Sequence, residues 1–91
     1  KSMLLSFIYC TKGIFKEIVG VEPLIEDGIV DEIYQYKSSG SYFDKAENSG
    51  DRVAGILLTG ASESEIDNKL ASALDKIKIL DDHQNDIMLR L

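Results

Sequence analysis

The strongest constraint on the fold is an apolar run that ends in glycine and leads at once into an acidic, amphipathic segment. Residues 51–59 read DRVAGILLT, which predicts the central strand of a sheet. Gly55 interrupts this strand, and an internal glycine indicates either a bulge or the close approach of a neighbouring group. Gly60 then separates the strand from the segment that follows.

The segment after Gly60 predicts the main helix of the domain, over residues 62–79. Ser62 and Glu65 form the S-x-x-E pattern of a capping box, in which each side chain bonds the backbone N–H of the other residue. Apolar residues then recur every three or four positions and form one stripe along the helix. The stripe consists of Ile66, Leu70, Leu74 and Ile77.

A strand, a glycine turn and a helix N-terminus also form many phosphate sites, which need bare backbone N–H groups and a nearby cation. Here Ser62 and Glu65 are expected to occupy the N–H groups, and Glu63 adds a second negative charge. No G-K-[ST] motif follows Gly60. We therefore interpret this segment as the frame of a small domain.

The remaining sequence predicts an α+β fold with a small, mainly antiparallel sheet of about four to five strands. Pro23 lies early in VEPLIEDG and Gly28 ends it, which predicts a short helix near residues 21–27. Residues 38–50 form the longest irregular stretch, and loops of this length are usually functional or in contact with another surface. The other strands are predicted at residues 3–10, 14–19 and 29–37, with a closing edge strand in NDIMLRL.

Length and composition predict one soluble domain over residues 1–91. A net charge of -6 without a Lys/Arg cluster argues against nucleic-acid binding. No apolar run approaches the roughly 18 residues of a membrane helix. The single cysteine, Cys10, excludes an intrachain disulfide, which fits a cytoplasmic location.

Residues 3–10, MLLSFIYC, are apolar at nearly every position, whereas a strand that is covered on one face should alternate. Such a strand needs cover on both faces, and a chain of 91 residues has one core with which to supply it. We expect either a missing partner or a homodimer through residues 3–10. A start at Lys1 instead of methionine also favours a piece of a larger protein.

Several side chains have both a chemical and a structural interpretation. Cys10 ends an apolar run and is more readily explained as a buried, inert thiol than as a nucleophile. Adjacent residues on a turn rarely converge on one ion, so the cluster at residues 81–83, Asp-Asp-His, is interpreted as a solvated turn. No catalytic residue, cofactor-binding residue or metal ligand is predicted.

Arg52 and the aromatic residues near the long loop are the remaining candidates. Arg52 either binds an anion or pairs with Asp51 or Glu47. The aromatic group is either core and rim packing or a contact surface, because aromatic residues are enriched at interfaces. This group consists of Tyr34, Tyr36, Tyr42 and Phe43.

The stretch NSGDRVAGILLTGASESEIDNKLASALDKIKI resembles the C-terminal subdomain of ATP-grasp ligases. An Arg-Val strand, a glycine, a Ser/Thr with acidic residues and an amphipathic helix that ends near KI follow one another there. LLSFIYCTKGIFKEIVGVEPL and GIVDEIYQYKSSGS are similar to the upstream part of carboxylate-amine ligases in this superfamily, among them glycinamide ribonucleotide synthetase and biotin carboxylase. HQNDIMLRL is similar to the end of glycinamide ribonucleotide synthetase, although Asn85 replaces the usual arginine of an Arg-Asp-Ile motif.

The resemblance implies a parent enzyme that activates a carboxylate as an acyl phosphate, which an amine then attacks. ATP and magnesium are held by earlier subdomains of such enzymes, so no cofactor is expected in this chain. The C-terminal piece packs on the catalytic core, and the positions expected nearest to that core or to the substrate side are Arg52, Tyr42 and Phe43. The alternative is a self-standing α+β binding or interaction module.

Overall fold

A computed structural model describes residues 2–44 and 52–89, which form six strands and two helices. The predicted α+β class is confirmed, with one main helix and one short one. In chain order the elements are β1 (Ser2–Tyr9), β2 (Gly13–Val19), α1 (Val21–Glu26), β3 (Glu32–Gln35), β4 (Tyr42–Phe43), β5 (Arg52–Gly60), α2 (Glu63–Lys76) and β6 (Lys78–Asp81).

The strands divide into two antiparallel sheets of three, whereas the sequence predicted one sheet of four to five strands. The first sheet has the order β1-β5-β3, so β5 is central as predicted, and the second has the order β4-β2-β6. Both sheets join distant parts of the chain, because Ser2 pairs with Gly60 and Val19 pairs with Lys78.

The core takes side chains from both sheets and both helices. β5 supplies most of the buried side chains from the first sheet, namely Val53, Ala54, Ile56 and Leu58. Helix α2 packs against β5 and β1, and helix α1 also contacts α2. The largest fully buried side chains are Phe15, Leu24, Ile56, Leu58, Ile77 and Ile79.

Helix α2 ends at Lys76, three residues before the predicted end at residue 79. Ile77 has extended dihedral angles and is fully buried, so it continues the apolar stripe without being helical. The predicted helix was too long because the apolar residues of KIKIL, residues 76–80, fit both the helical stripe and the alternation of a strand. The β-branched residues Ile77 and Ile79 suit that strand, β6, which pairs with β2.

Two further strand predictions are corrected in extent. β3 covers four residues instead of 29–37. In its described part, residues 85–89, the closing segment NDIMLRL forms isolated bridges, Cys10 to Met88 and Leu80 to Asp86, and not a regular strand. The carboxylate of Asp86 accepts hydrogen bonds from the backbone N–H groups of Ile79 and Met88, both at 3.1 Å. The Asp86 side chain thus accepts hydrogen bonds that backbone carbonyls would accept in a regular strand.

Candidate functional site: the open face of the first sheet

Alternate residues of β1 point to opposite faces of the first sheet. Ile8 is buried on the face toward α2, whereas Leu5 and Phe7 lie on the other face, above Gly55. A methyl group at Gly55 would lie 3.4 Å from Cδ1 of both residues and 3.1 Å from Oη of Tyr36. The glycine therefore permits three side chains to converge on the backbone of β5, as its position in the strand predicted.

This second face, here called the open face, is apolar and exposed over much of its area. Its exposed side chains include Met3 at 70%, Leu5 at 40%, Tyr34 at 40% and Tyr36 at 47% of their maximal accessible surface. Exposed apolar side chains grouped on one face of a sheet are candidates for an interaction site. The open face is defined by Met3, Leu5, Phe7, Tyr34, Tyr36 and Arg52.

Arg52 takes part in a stack of three side chains on the open face. The guanidinium carbon of Arg52 lies 3.8 Å from the centroid of the Phe7 ring, the geometry of a cation–π contact. The Phe7 and Tyr36 rings follow at 6.2 Å between centroids, tilted by 47°. Nε of Arg52 is buried and has no hydrogen-bond acceptor among the described residues. Its two expected partners, Asp51 and Glu47, lie outside the described residues.

The rim of the open face is polar. The hydroxyl of Tyr34 donates a hydrogen bond of 2.9 Å to a carboxylate oxygen of Glu32. This bond to the carboxylate raises the pKa of Tyr34 above its ordinary value of 10.0. At the end of β5, Thr59 donates a 2.8 Å hydrogen bond to the carboxylate of Asp31 and so ties β5 to the start of β3.

The structure places the three predicted contact residues in different surroundings. Arg52 is half-buried on the open face. Tyr42 and Phe43 form β4 in the second sheet, where Tyr42 is 61% exposed and Phe43 is 5% exposed. Phe43 is thus a core residue, and Tyr42 is a surface residue. Among the described residues, no hydrogen bond or ring contact joins Arg52 to either of them.

The N-terminus of α2 is capped as the sequence predicted. Oγ of Ser62 accepts a hydrogen bond of 3.2 Å from the backbone N–H of Glu65. The carboxylate of Glu65 turns back and accepts from the backbone N–H of Ala61, one residue earlier than in the predicted capping box. A Cβ at Gly60 would lie 2.5 Å from this carboxylate, so the glycine makes room for the cap.

The other chemical candidates are structural groups. Cys10 is fully buried, and burial together with the nearby charge of Asp86 raises the pKa of its thiol to about 12. Asp81 was predicted to lie in a solvated turn but is only 9% exposed. Its Oδ1 accepts hydrogen bonds from the backbone N–H groups of Asn85, at 2.8 Å, and His83, at 2.9 Å. The carboxylate therefore holds the turn together.

Within residues 2–44 and 52–89, no group of three or more His, Cys, Asp or Glu side chains is placed to hold a metal ion. In the same part of the chain, no helix is both long enough and apolar enough to span a membrane.

The sequence matches the family model of the L-amino acid ligase C-terminal domain 2 over residues 6–80. This range contains β1 from Ser6, all of β2 to β5, α2 and most of β6. The closing segment, which resembles the end of glycinamide ribonucleotide synthetase, lies beyond the matched range. No curated protein and no solved structure matches the chain.

The family match covers most of the chain and confirms the resemblance to the C-terminal region of an ATP-grasp-type ligase. The chain therefore belongs to the L-amino acid ligase C-terminal domain 2 family.

Proposed function

We propose that this domain is the C-terminal, structural part of a cytoplasmic ligase that joins L-amino acids with the energy of ATP. The family description, which names an L-amino acid ligase, supports this substrate class. In the proposed reaction a carboxylate oxygen of one amino acid attacks the γ-phosphorus of ATP, and ADP leaves. The amine nitrogen of the second amino acid then attacks the acyl phosphate, phosphate leaves, and the nitrogen loses a proton to give the amide.

No reacting group of this chemistry is assigned to this chain, and ATP and magnesium are assigned to the remainder of the parent enzyme. The helix terminus that most resembles a phosphate site is already occupied, because Ser62 and Glu65 accept hydrogen bonds from backbone N–H groups there. The single cysteine has its pKa raised to about 12, which opposes a role as a nucleophile near neutral pH.

The open face is the surface that packs on the catalytic part of the ligase, and its exposure is the observation that carries this proposal. Leu5 and Tyr36 expose 40% and 47% of their surface around the half-buried Phe7 ring. A partner that covers them removes apolar area from water, at roughly 25 cal/mol per Å². A carboxylate or carbonyl oxygen of the partner beside Arg52 would complete the hydrogen bonding of its guanidinium group.

The test is the activity of the ligase that carries this domain, measured as amino-acid-dependent release of phosphate from ATP. Deletion of the domain and the double substitution Phe7→Ala with Tyr36→Ala should both lower this activity at least tenfold. Ile25→Ala is the matched control, since Ile25 is 39% exposed but lies on α1, away from the open face. Full activity of the double variant, with the fold intact, would refute docking through the open face.

Tyr42→Ala forms a further arm of this experiment. Tyr42 was predicted from the sequence to lie near the catalytic core, and its exposed position on β4 leaves it accessible to a partner. A loss of activity for Tyr42→Ala similar to that of the double variant would extend the docking surface to the second sheet.

The homodimer through residues 3–10 stays a prediction for the chain on its own, because the same apolar surface is then without its partner. Sedimentation of the isolated chain tests it. A self-standing binding module would be favoured if the ligase kept its activity without this domain while the isolated chain formed a stable dimer.

A further inference from the structure

Strand β1 is an edge strand of the first sheet as formed by the described residues. It lies at the end of the order β1-β5-β3, with β5 on one side. The N–H groups of Asp31 and Tyr36 donate to the carbonyls of Leu57 and Val53, so the odd residues of β5 bond to the β3 side. Because bonding alternates along an antiparallel strand, the even residues bond β1 at Leu4, Ser6 and Ile8.

The backbone groups of Met3, Leu5 and Phe7 therefore point away from β5, toward the free edge. Among the described residues this edge is met only at its end, where the N–H of Leu89 donates to the carbonyl of Tyr9 at 2.8 Å and Met88 bridges to Cys10. Residues 88–89 thus already extend along one end of this edge, and no other described residue pairs with the backbone groups of Met3, Leu5 or Phe7.

The usual protections of an edge strand are absent from residues 2–8 of β1, and the register with β5 shifts only beyond them, between Ile8 and Tyr9. Natural proteins blunt such edges with charged side chains, prolines or bulges. Residues 2–8 contain no charged residue and no proline, and their register with β5 is regular from Ser2 to Ile8. Leu4, on the side toward α2, is still 36% exposed because the helix does not extend over the edge.

Helix α2 packs beside β1 and lines grooves with both of its ends. Glu63 and Asp67 line a groove with residues 2–4, and Asp75 lines a second groove with residues 6–9 and with Met88 and Leu89 of the closing segment. Ala71 and Leu74 lie between the acidic side chains along the same side of the helix. This side, here called the acidic flank, is negative at both ends and apolar in the middle.

We propose that the β1 edge binds an extended, basic segment of the parent ligase, which adds to the first sheet as a fourth strand. This proposal rests on the proposed function for the source of the segment. Backbone hydrogen bonds to Met3, Leu5 and Phe7 provide the pairing, as in other cases of β-strand addition. The chemistry of the occupant follows from the acidic flank: basic side chains at both ends and an apolar one between them.

The spacing of the acidic flank fits a strand. Asp67 and Asp75 are eight residues apart on a helix, which is roughly 12 Å at 1.5 Å per residue. Two side chains four residues apart on one face of a strand are separated by about 13 Å. A segment with Lys-x-apolar-x-Lys on its helix side therefore places each cation beside one carboxylate.

A second copy of this chain is the weaker occupant for this edge. Two β1 strands paired about a two-fold axis would place both α2 helices on the same face of the joined sheet. Their acidic flanks would then face each other, and like charges in contact oppose the pairing.

The test uses two acetylated and amidated peptides, TKTVTKT and TETVTET, and backbone amide NMR of the 91-residue chain. The lysine peptide should shift the amide signals of Met3, Leu5 and Phe7 and saturate with a Kd on the order of 1 mM or tighter. The glutamate peptide should bind at least tenfold more weakly. Absence of saturation by about 5 mM, or equal binding of both peptides, would overturn the proposal.

Two variants locate the binding. Asp67→Lys combined with Asp75→Lys changes exposed side chains only and should invert the preference in favour of TETVTET. Leu5→Pro removes an N–H that points to the edge while the ladder to β5 keeps its bonds, so it should abolish binding of TKTVTKT. An unchanged preference in the double lysine variant would exclude the acidic flank, even if Leu5→Pro failed to fold.

Sedimentation of the isolated chain identifies the other occupant. A dimer that Leu5→Pro dissociates, but that the open-face double variant Phe7→Ala with Tyr36→Ala leaves intact, would assign the edge to a second copy and overturn the proposal. The peptide measurements need no ligase activity, so failure of the edge proposal and failure of the proposed function are seen in separate experiments.

Discussion

At the scale of single residues, polar side chains of this domain serve as caps for the backbone. Asp81 accepts from the N–H groups of His83 and Asn85, and Asp86 accepts from those of Ile79 and Met88. Ser62 caps α2 in the same way. Residue types that suggest metal binding or catalysis in the sequence thus satisfy backbone donors at places where no strand or helix continues.

The stability of the domain should depend on pH through Asp81. The hydrogen bond from the N–H of Asn85, followed by that from His83, lowers the pKa of Asp81 below its ordinary value of 3.8. A lowered pKa contributes stability that is fully present above the unfolded value and is lost as pH falls through the folded value.

Urea unfolding of the wild type and Asp81→Asn at pH 7, 5 and 3 checks this dependence. The variant should be less stable at pH 7 and pH 5, and the difference should shrink at pH 3. Asp82→Asn is the control, since Asp82 is exposed, and its difference from the wild type should be small throughout. A difference for Asp81→Asn that stays constant down to pH 3 would contradict the assignment.

Ser62→Ala should lower the free energy of unfolding by about 1 kcal/mol, because the N–H of Glu65 loses its acceptor. Ser64→Ala, an exposed position inside the first turn, should have little effect. Ile66→Ala should cost more, roughly 2–5 kcal/mol, since Ile66 is 4% exposed. Equal costs for Ser62→Ala and Ile66→Ala in urea unfolding would refute this register of α2.

At the scale of elements, the turn between β2 and α1 depends on close packing against the end of α2. Gly20 has φ of 90°, and a Cβ there would overlap the backbone oxygen of Lys76. Gly28 also has a positive φ, of 75°, but a Cβ there would meet nothing within 4 Å. Both positions are strained for other residues, and only one is also crowded.

The two glycines form a matched pair of substitutions. Gly28→Ala should cost about 1 kcal/mol, the strain of a left-handed alanine. Gly20→Ala should cost at least about 2 kcal/mol more, because the clash is with backbone and moves the end of α2. Thermal and urea unfolding of both variants measure the difference, and equal costs would show that α1 and α2 are less closely packed than described.

The elements that the sequence predicted well have a local signal. β5 and the start of α2 follow from an apolar run, a glycine and a cap that lie next to one another in the chain. β6 was missed because KIKIL extends a helical stripe, and its strand form is decided by pairing with β2. β4 has two residues and also exists only through pairing with β2. Pairing between strands that are distant in the chain produces no pattern in the local sequence from which either strand could be predicted.

The site was predictable only in part for the same reason. MLLSFIYC indicated an uncovered strand, and Gly55 indicated a close approach. The stack of Arg52 on Phe7 joins residues that are 45 positions apart in sequence, so neither the partner nor the geometry follows from local pattern. Phe43 is buried, which agrees with the core-packing alternative for the aromatic group, because an aromatic residue near a long loop serves equally well in a core.

At the scale of the whole molecule, the isolated chain should neither bind nor hydrolyse ATP. The proposed function places nucleotide and magnesium in other parts of the ligase, and the N–H groups at the start of α2 are capped. Calorimetric titration with Mg-ATP measures this directly. A Kd tighter than about 100 μM, which corresponds to on the order of 5.5 kcal/mol, would contradict the assignment of a purely structural domain.

The pairing of β1 with β5 has a consequence for synthesis on the ribosome. Ser2 cannot pair with Gly60 until the ribosome has added the 58 residues that lead to Gly60. At about 5–20 residues per second, this interval lasts roughly 3–12 s. The pairing of β2 with β6 is delayed at least as long, because Val19 pairs with Lys78. Neither sheet can therefore be completed while the first half of the domain is translated. The uncharged strand β1 is therefore a nascent segment that chaperones have time to bind before its native partner is made.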